Sequence, residues 1–91
     1  TQYFDNADVK NSVVSNGCLI EGTVENSVIG RGCQIKKGAV VKNCVILANS
    51  IIGEDVHVEN QVIDKWAQIT REREIVAEAG HPGYIRRDDI L

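Results

Sequence analysis

Val24-Glu-Asn-Ser-Val-Ile29 is one of four copies of a short pattern, Val-x-Asn-x-Val followed by Val or Ile, that decides how this chain folds. The other copies are Val9-Lys-Asn-Ser-Val-Val14, Val41-Lys-Asn-Cys-Val-Ile46 and Val58-Glu-Asn-Gln-Val-Ile63. Successive copies begin 15, 17 and 17 residues apart. A fixed period of this kind predicts a repeat architecture, in which each period forms one unit that stacks on the next.

Aliphatic residues continue at intervals of about six residues between the copies. They are Val14 and Ile20, then Ile29, Ile35 and Val41, then Ile46, Ile52 and Val58, and finally Ile63 and Ile69. Each period is therefore one five-residue step and two longer steps, which is the hexapeptide pattern of a triangular parallel β-helix. We predict an all-β fold of about four coils with terminal caps. The predicted division is an N-terminal cap at 1–8, the β-helix at 9–69 and a C-terminal capping segment at 70–91, all in one domain.

Inward positions are predicted from a single rule, which places a buried side chain four residues after each aliphatic residue. The rule gives three inward ladders: Val13, Val28, Val45 and Val62; Cys18, Cys33, Ser50 and Ala67; and Ala39 with Val56. It places Cys44 on an outward row with Ser12, Ser27 and Gln61. Three cysteines without clustered ligand spacing indicate reduced thiols, not a metal site.

Corner residues are expected to adopt a positive φ, which Gly, Asn and Asp tolerate best. The expected corners of the longer steps are Gly17, Gly32, Gly38, Asn49 and Asp55, with Trp66 in the same place, and those of the short step are Asn11, Asn26, Asn43 and Asn60.

The repeat weakens after Ile69. Residues 70–79 fit either a short helix, with Thr70 as N-cap, or an imperfect fifth coil carried by Ile75 and Ala79. Tyr3 and Phe4 are expected to cover the first coil. Since the chain lacks Met and starts at Thr1, we expect it to be a piece of a longer protein.

Composition excludes several function classes. A net charge of −3 argues against non-specific nucleic-acid binding, and no apolar run reaches the ~18 residues of a membrane span. We expect no catalytic, cofactor-binding or metal-ligating residue. His57 faces outward by the repeat and has no obvious acid partner in its own coil.

Two surface features are candidate sites. The outward apolar residues Leu19, Val40, Leu47, Ile51 and Trp66 form a candidate interface, since clustered exposed apolar residues indicate an interaction site. The basic pairs Lys36-Lys37 and Arg86-Arg87 are candidate anion contacts.

Several stretches resemble a known family. They are Asn11-Ser-Val-Val-Ser-Asn-Gly-Cys-Leu-Ile-Glu-Gly-Thr-Val-Glu-Asn-Ser-Val-Ile29, Gly38-Ala-Val-Val-Lys-Asn-Cys-Val-Ile-Leu47, Ile52-Gly-Glu-Asp-Val56 and Val62-Ile-Asp-Lys65. Together they resemble the C-terminal left-handed β-helix of bacterial glucose-1-phosphate adenylyltransferase, also called ADP-glucose pyrophosphorylase, and lean toward its GlgD-type regulatory subunit. The chain departs from the family at Trp66, at Arg71-Glu-Arg-Glu74 and in its C-terminal tail.

The resemblance implies a left-handed coil and a non-catalytic oligomerisation and regulatory domain. It implies a cytoplasmic parent protein with an N-terminal nucleotidyltransferase domain, which uses ATP and Mg to make ADP-glucose for glycogen synthesis. The implied partners are that domain and other subunits of a homo- or hetero-oligomer.

Two other hexapeptide classes compete with this interpretation. A trimeric acyltransferase would use His57 as its base, although the coils are few and no long loop projects from a corner. A γ-carbonic-anhydrase-like zinc trimer needs three His ligands, and the chain has two His residues.

Overall fold

The computed structural model describes residues 2–4, 7–78 and 80–91, and within them every regular element is a β-strand. The first two coils hold β1 (Gln2–Tyr3), β2 (Asp8–Lys10), β3 (Val13–Val14), β4 (Leu19–Ile20), β5 (Thr23–Glu25) and β6 (Val28–Ile29). The next two hold β7 (Gln34–Ile35), β8 (Val40–Lys42), β9 (Val45–Ile46), β10 (Ile51–Ile52), β11 (His57–Glu59) and β12 (Gln61–Ile63). The fifth holds β13 (Gln68–Ile69), β14 (Glu74–Val76) and β15 (Gly83–Ile85).

Each coil contributes one strand to each of three parallel sheets, which form the sides of a prism. The first sheet is β1-β4-β7-β10-β13, the second is β2-β5-β8-β11-β14 and the third is β3-β6-β9-β12-β15. With five strands described in each sheet, four turns separate its first strand from its last. The predicted all-β solenoid is confirmed, and the left hand of the coil stays a prediction of the resemblance.

The interior of the prism is built from stacked aliphatic side chains. Fully buried residues of the three sheets are Ile20, Ile35, Ile52 and Ile69; Val24, Val41 and Val58; and Ile29, Ile46 and Ile63. Each contributes about 1.5–3 kcal/mol by burial. Two predicted ladders, that of Cys18, Cys33, Ser50 and Ala67 and that of Ala39 and Val56, are confirmed as fully buried.

The valine ladder is the part of the inward prediction that is wrong. Val13, Val28 and Val45 are exposed, and Val62 follows them on the same outward column. Ser27, Cys44 and Gln61 are buried instead, with Ser12 in the corresponding place of the first coil. Side chains alternate between the two faces of a strand, so a step shortened by one residue moves the inward position from the fourth to the third residue after the aliphatic one.

Left-handed backbone conformations mark the corners, as predicted. Gly17, Gly32 and Gly38 have φ of 78°, 72° and 78°, and Asn11, Asn26, Asn43 and Asn60 lie between 48° and 57°. Asn49 and Asp55 follow the same rule, and Trp66 does so with φ of 63°. In each corner the next residue points inward, as Cys18 does after Gly17 and Ser27 does after Asn26.

The C-terminal residues form a fifth coil. β14 pairs with β11, and β15 pairs with β12. The helical alternative for 70–79 is therefore wrong over the described residues, while Ala79, which the prediction assigned to the fifth coil, lies outside them. The three sheets therefore extend beyond the predicted β-helix range of 9–69 at both its N-terminal and its C-terminal end.

Residues at both ends of the prism pair in register with the adjacent coil, and Tyr3 and Phe4 of the expected cover are 53% and 40% exposed. Tyr3 pairs with Ile20, so it lies beneath the first buried isoleucine, and Phe4 N–H donates to the Ile20 carbonyl at 2.9 Å. At the other end Leu91 packs against the core, and its N–H donates to the Gln68 carbonyl at 2.8 Å. Thr1, Asp5 and Asn6, which belong to the predicted N-terminal cap, lie outside the described residues.

Candidate interaction surface

The third sheet exposes a straight row of apolar side chains. Pairing in register places Val13, Val28, Val45, Val62 and Tyr84 in one outward column, which we call the valine column. Val13 is 63% exposed, Val28 46%, Val45 39% and Tyr84 60%. A contiguous exposed apolar surface of this kind indicates an interaction site, whereas isolated exposed valines do not.

The neighbours of the valine column are uncharged in the first three coils. On one side stand the corner asparagines Asn11, Asn26 and Asn43, and on the other stand Ser15, Gly30 and Leu47. Charges enter only at the fourth and fifth coils, through Asp64 and Arg86. An apolar centre with an uncharged polar rim is the composition of the buried middle of a protein interface.

Tyr84 and Asp64 lie at the C-terminal end of this face, in the fifth and fourth coils. The Tyr84 hydroxyl donates to Asp64 Oδ2 at 2.5 Å, and Lys65 N–H donates to Asp64 Oδ1 at 2.7 Å. The hydroxyl holds the pKa of Asp64 below its ordinary value, because it stabilises the carboxylate. The same bond raises the pKa of Tyr84, because the phenol proton is shared with an anion.

The predicted interface residues are distributed over more than one face. Leu19 and Ile51 lie on the outward column of the first sheet, with Gln34 between them. Leu47 and Trp66 lie in the corners that join the third sheet to the first, and Trp66 is 55% exposed. Val40 lies on the second sheet. The sequence prediction missed the valine column because the short step was assigned the wrong phase.

The two basic pairs differ in their surroundings. Arg86 Nε lies 3.8 Å from Asp89 Oδ2, and Arg87 Nε lies 3.9 Å from Asp88 Oδ2. Each arginine therefore already faces a carboxylate. Lys36 and Lys37 lie in the corner between β7 and β8, and no ion pair is formed by either of them within the described chain.

A cleft of about 450 Å³ opens beside Lys37. Its lining is Gly22, Thr23, Lys37, Gly38, Glu54 and Asp55. The cleft exists because the corner before β5 has two residues, 21 and 22, whereas the corner before β8 has four, 36–39. The lining carries two carboxylates and only one ammonium, so its net negative charge opposes the binding of an anion at Lys37.

His57 has an acid partner that the sequence prediction missed. It lies on the outward side of β11, as predicted, and its Nε2 is 3.1 Å from Glu59 Oε2 in the same strand. The expectation of no acid partner in the same coil is wrong, because residues i and i+2 of a strand share one face.

No group of three or more His, Cys, Asp or Glu residues within 2–4, 7–78 and 80–91 is arranged to hold a metal ion. The described part of the chain also has no helix long and apolar enough to cross a membrane.

Comparison with known proteins identifies the class of this solenoid. Residues 2–81 match the family described as GlmU-like, C-terminal hexapeptide, and the chain therefore belongs to that family. No solved structure gives a significant match.

The relatives include enzymes and proteins of glycogen biosynthesis. A glucose-1-phosphate adenylyltransferase of Fervidobacterium nodosum is 48% identical over 59 residues, which are 65% of this chain and 14% of the relative. The glycogen biosynthesis protein GlgD of Bacillus subtilis is 39% identical over 87 residues, which are 96% of this chain and 25% of that protein. GlgD of Geobacillus stearothermophilus is 49% identical over 41 residues, 45% of this chain and 12% of the relative. The matches thus span a quarter or less of these relatives, and they support a domain related to glycogen synthesis.

Proposed function

We propose that this chain is the non-catalytic assembly and regulatory domain of a glucose-1-phosphate adenylyltransferase-like protein. The observation that carries the proposal is the exposed valine column, in a chain that spans only 14% and 25% of two relatives from glycogen biosynthesis. A flat apolar face of this kind suits docking, since its burial removes apolar area from water without leaving unpaired polar groups.

The proposed occupant of the valine column is an N-terminal nucleotidyltransferase domain of the same protein. That domain would carry the chemistry, using ATP and Mg to convert glucose 1-phosphate to ADP-glucose in the cytoplasm. The solenoid would orient it and join it to other subunits. The uncharged rim of Asn11, Asn26 and Asn43 favours this arrangement, because these amides can bond a partner without the desolvation cost of a charge.

A chimera tests the proposal. The matching segment of the Fervidobacterium nodosum adenylyltransferase is replaced by this chain, and ADP-glucose formation is measured. The expected result is an active chimera with the mass of the parent oligomer. Val28→Glu combined with Val45→Glu should lower activity and mass, since each buries a charge in the docking face. Gln34→Glu combined with Gln68→Glu on the first sheet is the matched control and should change neither.

The isolated chain should neither form ADP-glucose nor bind ATP. Calorimetric titration with ATP and magnesium is expected to give only heats of dilution. A chimera that folds without activity, or micromolar binding of ATP by the isolated chain, would contradict the proposal.

A second candidate, a trimeric acyltransferase, rests on the contact of 3.1 Å between His57 Nε2 and Glu59 Oε2. A carboxylate can orient an imidazole for general-base work. Titration with acetyl-CoA separates the two functions, because the assembly domain is expected to give no binding.

A further inference from the structure

The outer face of the second sheet carries a regular pattern of charge. Two outward columns run up β2, β5, β8 and β11, and together we call them the charged face. The first column is Asp8, Thr23, Val40 and His57, and the second is Lys10, Glu25, Lys42 and Glu59. The second column therefore alternates in sign through the first four coils, and in the fifth coil β14 adds Glu74 to the first column and Val76 to the second.

Within the chain these charges are only partly paired. Lys10 Nζ lies 3.8 Å from Asp8 Oδ2, and His57 Nε2 lies 3.1 Å from Glu59 Oε2. The first and fourth coils therefore each hold a pair within a single strand. In the part of the chain that the structure describes, neither Glu25 nor Lys42 forms an ion pair. Glu25 and Lys42 lie side by side on adjacent strands without forming an ion pair, so each can still reach a charge on a partner.

The charged face is complementary in charge to the same face of a second copy whose prism axis runs in the opposite direction. A twofold axis that lies along the strands, between the second and third coils, sets the first coil against the fourth and the second against the third. Lys10 then faces the partner's Glu59, and Glu25 faces the partner's Lys42. In the other column Asp8 faces the partner's His57, and Thr23 faces the partner's Val40. Each Lys and each Glu of the second column therefore meets a residue of opposite charge.

A parallel arrangement, in which the two prism axes run in the same direction, does not pair these charges. With the axis along the prism, each coil faces the same coil of the partner and the two columns exchange. Glu25 then faces the partner's Thr23, and Lys42 faces the partner's Val40, so neither charge gains a counter-charge from the partner to offset its desolvation. The Glu25 and Lys42 pair is what selects the antiparallel arrangement.

We propose that the charged face is a homotypic contact, on which a second copy of this chain docks antiparallel. The long side chains of Lys10, Glu25, Lys42 and Glu59 can meet across two sheets packed ~10 Å apart. Because the prism measures 31 × 24 × 21 Å, the contact is small and therefore weak on its own. Its specificity comes from charge, so it weakens as salt is added. This inference concerns a different sheet from the valine column, and it rests on the assembly role in the proposed function by naming the face through which two copies join.

Charge reversal provides the test. Sedimentation equilibrium at high protein concentration and low salt is expected to show self-association of the unmodified chain. Glu25→Lys and Lys42→Glu should each weaken it by about tenfold or more, since each places like charges opposite one another twice per dimer. The double variant Glu25→Lys with Lys42→Glu should restore association. An equimolar mixture of the two single variants should also associate, because every opposed pair is again opposite in sign.

Two controls keep the result decisive. Lys36→Glu makes the same change of charge away from the charged face and should leave association unchanged. Glu25→Gln removes the charge with little change of shape, and it should weaken association less than Glu25→Lys if the reversed variant folds. A monomeric unmodified chain, single variants that associate as strongly as the unmodified chain, or a mixture of single variants that stays monomeric would overturn the proposal.

Discussion

The backbone N–H of Cys44 donates to the Oγ of Ser27 at 3.0 Å inside the prism, so the two residues occupy the same inward position in consecutive coils. The Ser27 hydroxyl in turn donates to the Glu25 carbonyl at 2.8 Å, and the Cys44 thiol donates to the Lys42 carbonyl at 3.1 Å. Thiol and hydroxyl thus bond in the same way, each to a carbonyl that also accepts a backbone N–H of the next coil, from Asn43 at Glu25 and from Asn60 at Lys42.

Cys44 is accordingly expected to resist modification. It is 1% exposed, and burial raises its pKa above the ordinary value, as it does for Cys33, so little thiolate is available. Under native conditions a thiol reagent should react slowly with all three cysteines, and it should react quickly after denaturation. Val45→Cys, one residue further along, is the exposed comparison and should be labelled rapidly. Fast labelling of Cys44 in the folded chain would show that the inward side of the short step is wrong.

The sequence predicts the corners and most of the core, but it does not reveal the outer faces. Gly17, Gly38 and Asp55 are recognisable because few residues tolerate a positive φ. The inward position of the short step is mispredicted when four residues are counted from the preceding aliphatic residue, because this step has one residue fewer. Counting from the corner gives the right phase, because the residue after Asn26 or Asn43 is inward, like the one after Gly17.

The contact between His57 and Glu59 is predictable, because residues two apart on a strand share one face, whereas the fifth coil has a weaker sequence signal. The corner between β13 and β14 has no described residue with positive φ, so the signal that identifies the other coils is missing there. The Arg73 side chain instead reaches back to the previous coil, where its Nη1 donates to the Glu54 carbonyl at 2.8 Å.

Gly32 is expected to be sensitive to substitution because of its backbone conformation. Its φ is +72°, and a Cβ added there would also meet Asn49 Oδ1 of the next coil. Gly32→Val should lower the free energy of unfolding by about 1–3 kcal/mol more than Gln34→Val, which places a β-branched residue on a strand. Urea denaturation of both variants measures the difference. Equal midpoints would remove the proposed role of Gly32 as a corner.

Gly22 should be sensitive for a different reason, which is close approach of the next coil. A Cβ there would lie 2.5 Å from the Ala39 carbonyl oxygen and 2.8 Å from that of Lys36. Gly22→Ala should cost about 1–3 kcal/mol through overpacking. Gly80→Ala is the matched control, since nothing lies within 4 Å of its added Cβ. Equal thermal unfolding of the two variants would mean that the backbone around Gly22 moves easily enough to accept the added Cβ.

Tyr84 is expected to control the titration of Asp64. Removing the hydroxyl in Tyr84→Phe should raise the pKa of Asp64 toward its ordinary value of 3.8. Because the folded pKa is depressed, the stabilisation is present above 3.8 and is lost as the pH falls through the folded pKa. Carboxyl carbon chemical shifts followed by NMR provide the measurement. An unchanged Asp64 titration in Tyr84→Phe would contradict the bond.

Docking through the valine column is tested most directly by the reactivity of single cysteines placed on it. Val28→Cys and Val45→Cys are made both in the isolated chain and in the adenylyltransferase chimera, and Gln34→Cys on the first sheet serves as the reference. Labelling is followed by peptide mass spectrometry, so each thiol is read separately.

Both valine-column thiols are predicted to react rapidly in the isolated chain and much more slowly in the chimera, while the reference thiol reacts equally fast in both. Equal labelling of Val28→Cys and Val45→Cys in the two proteins would mean that the adenylyltransferase leaves the valine column uncovered, and it would contradict the proposed docking.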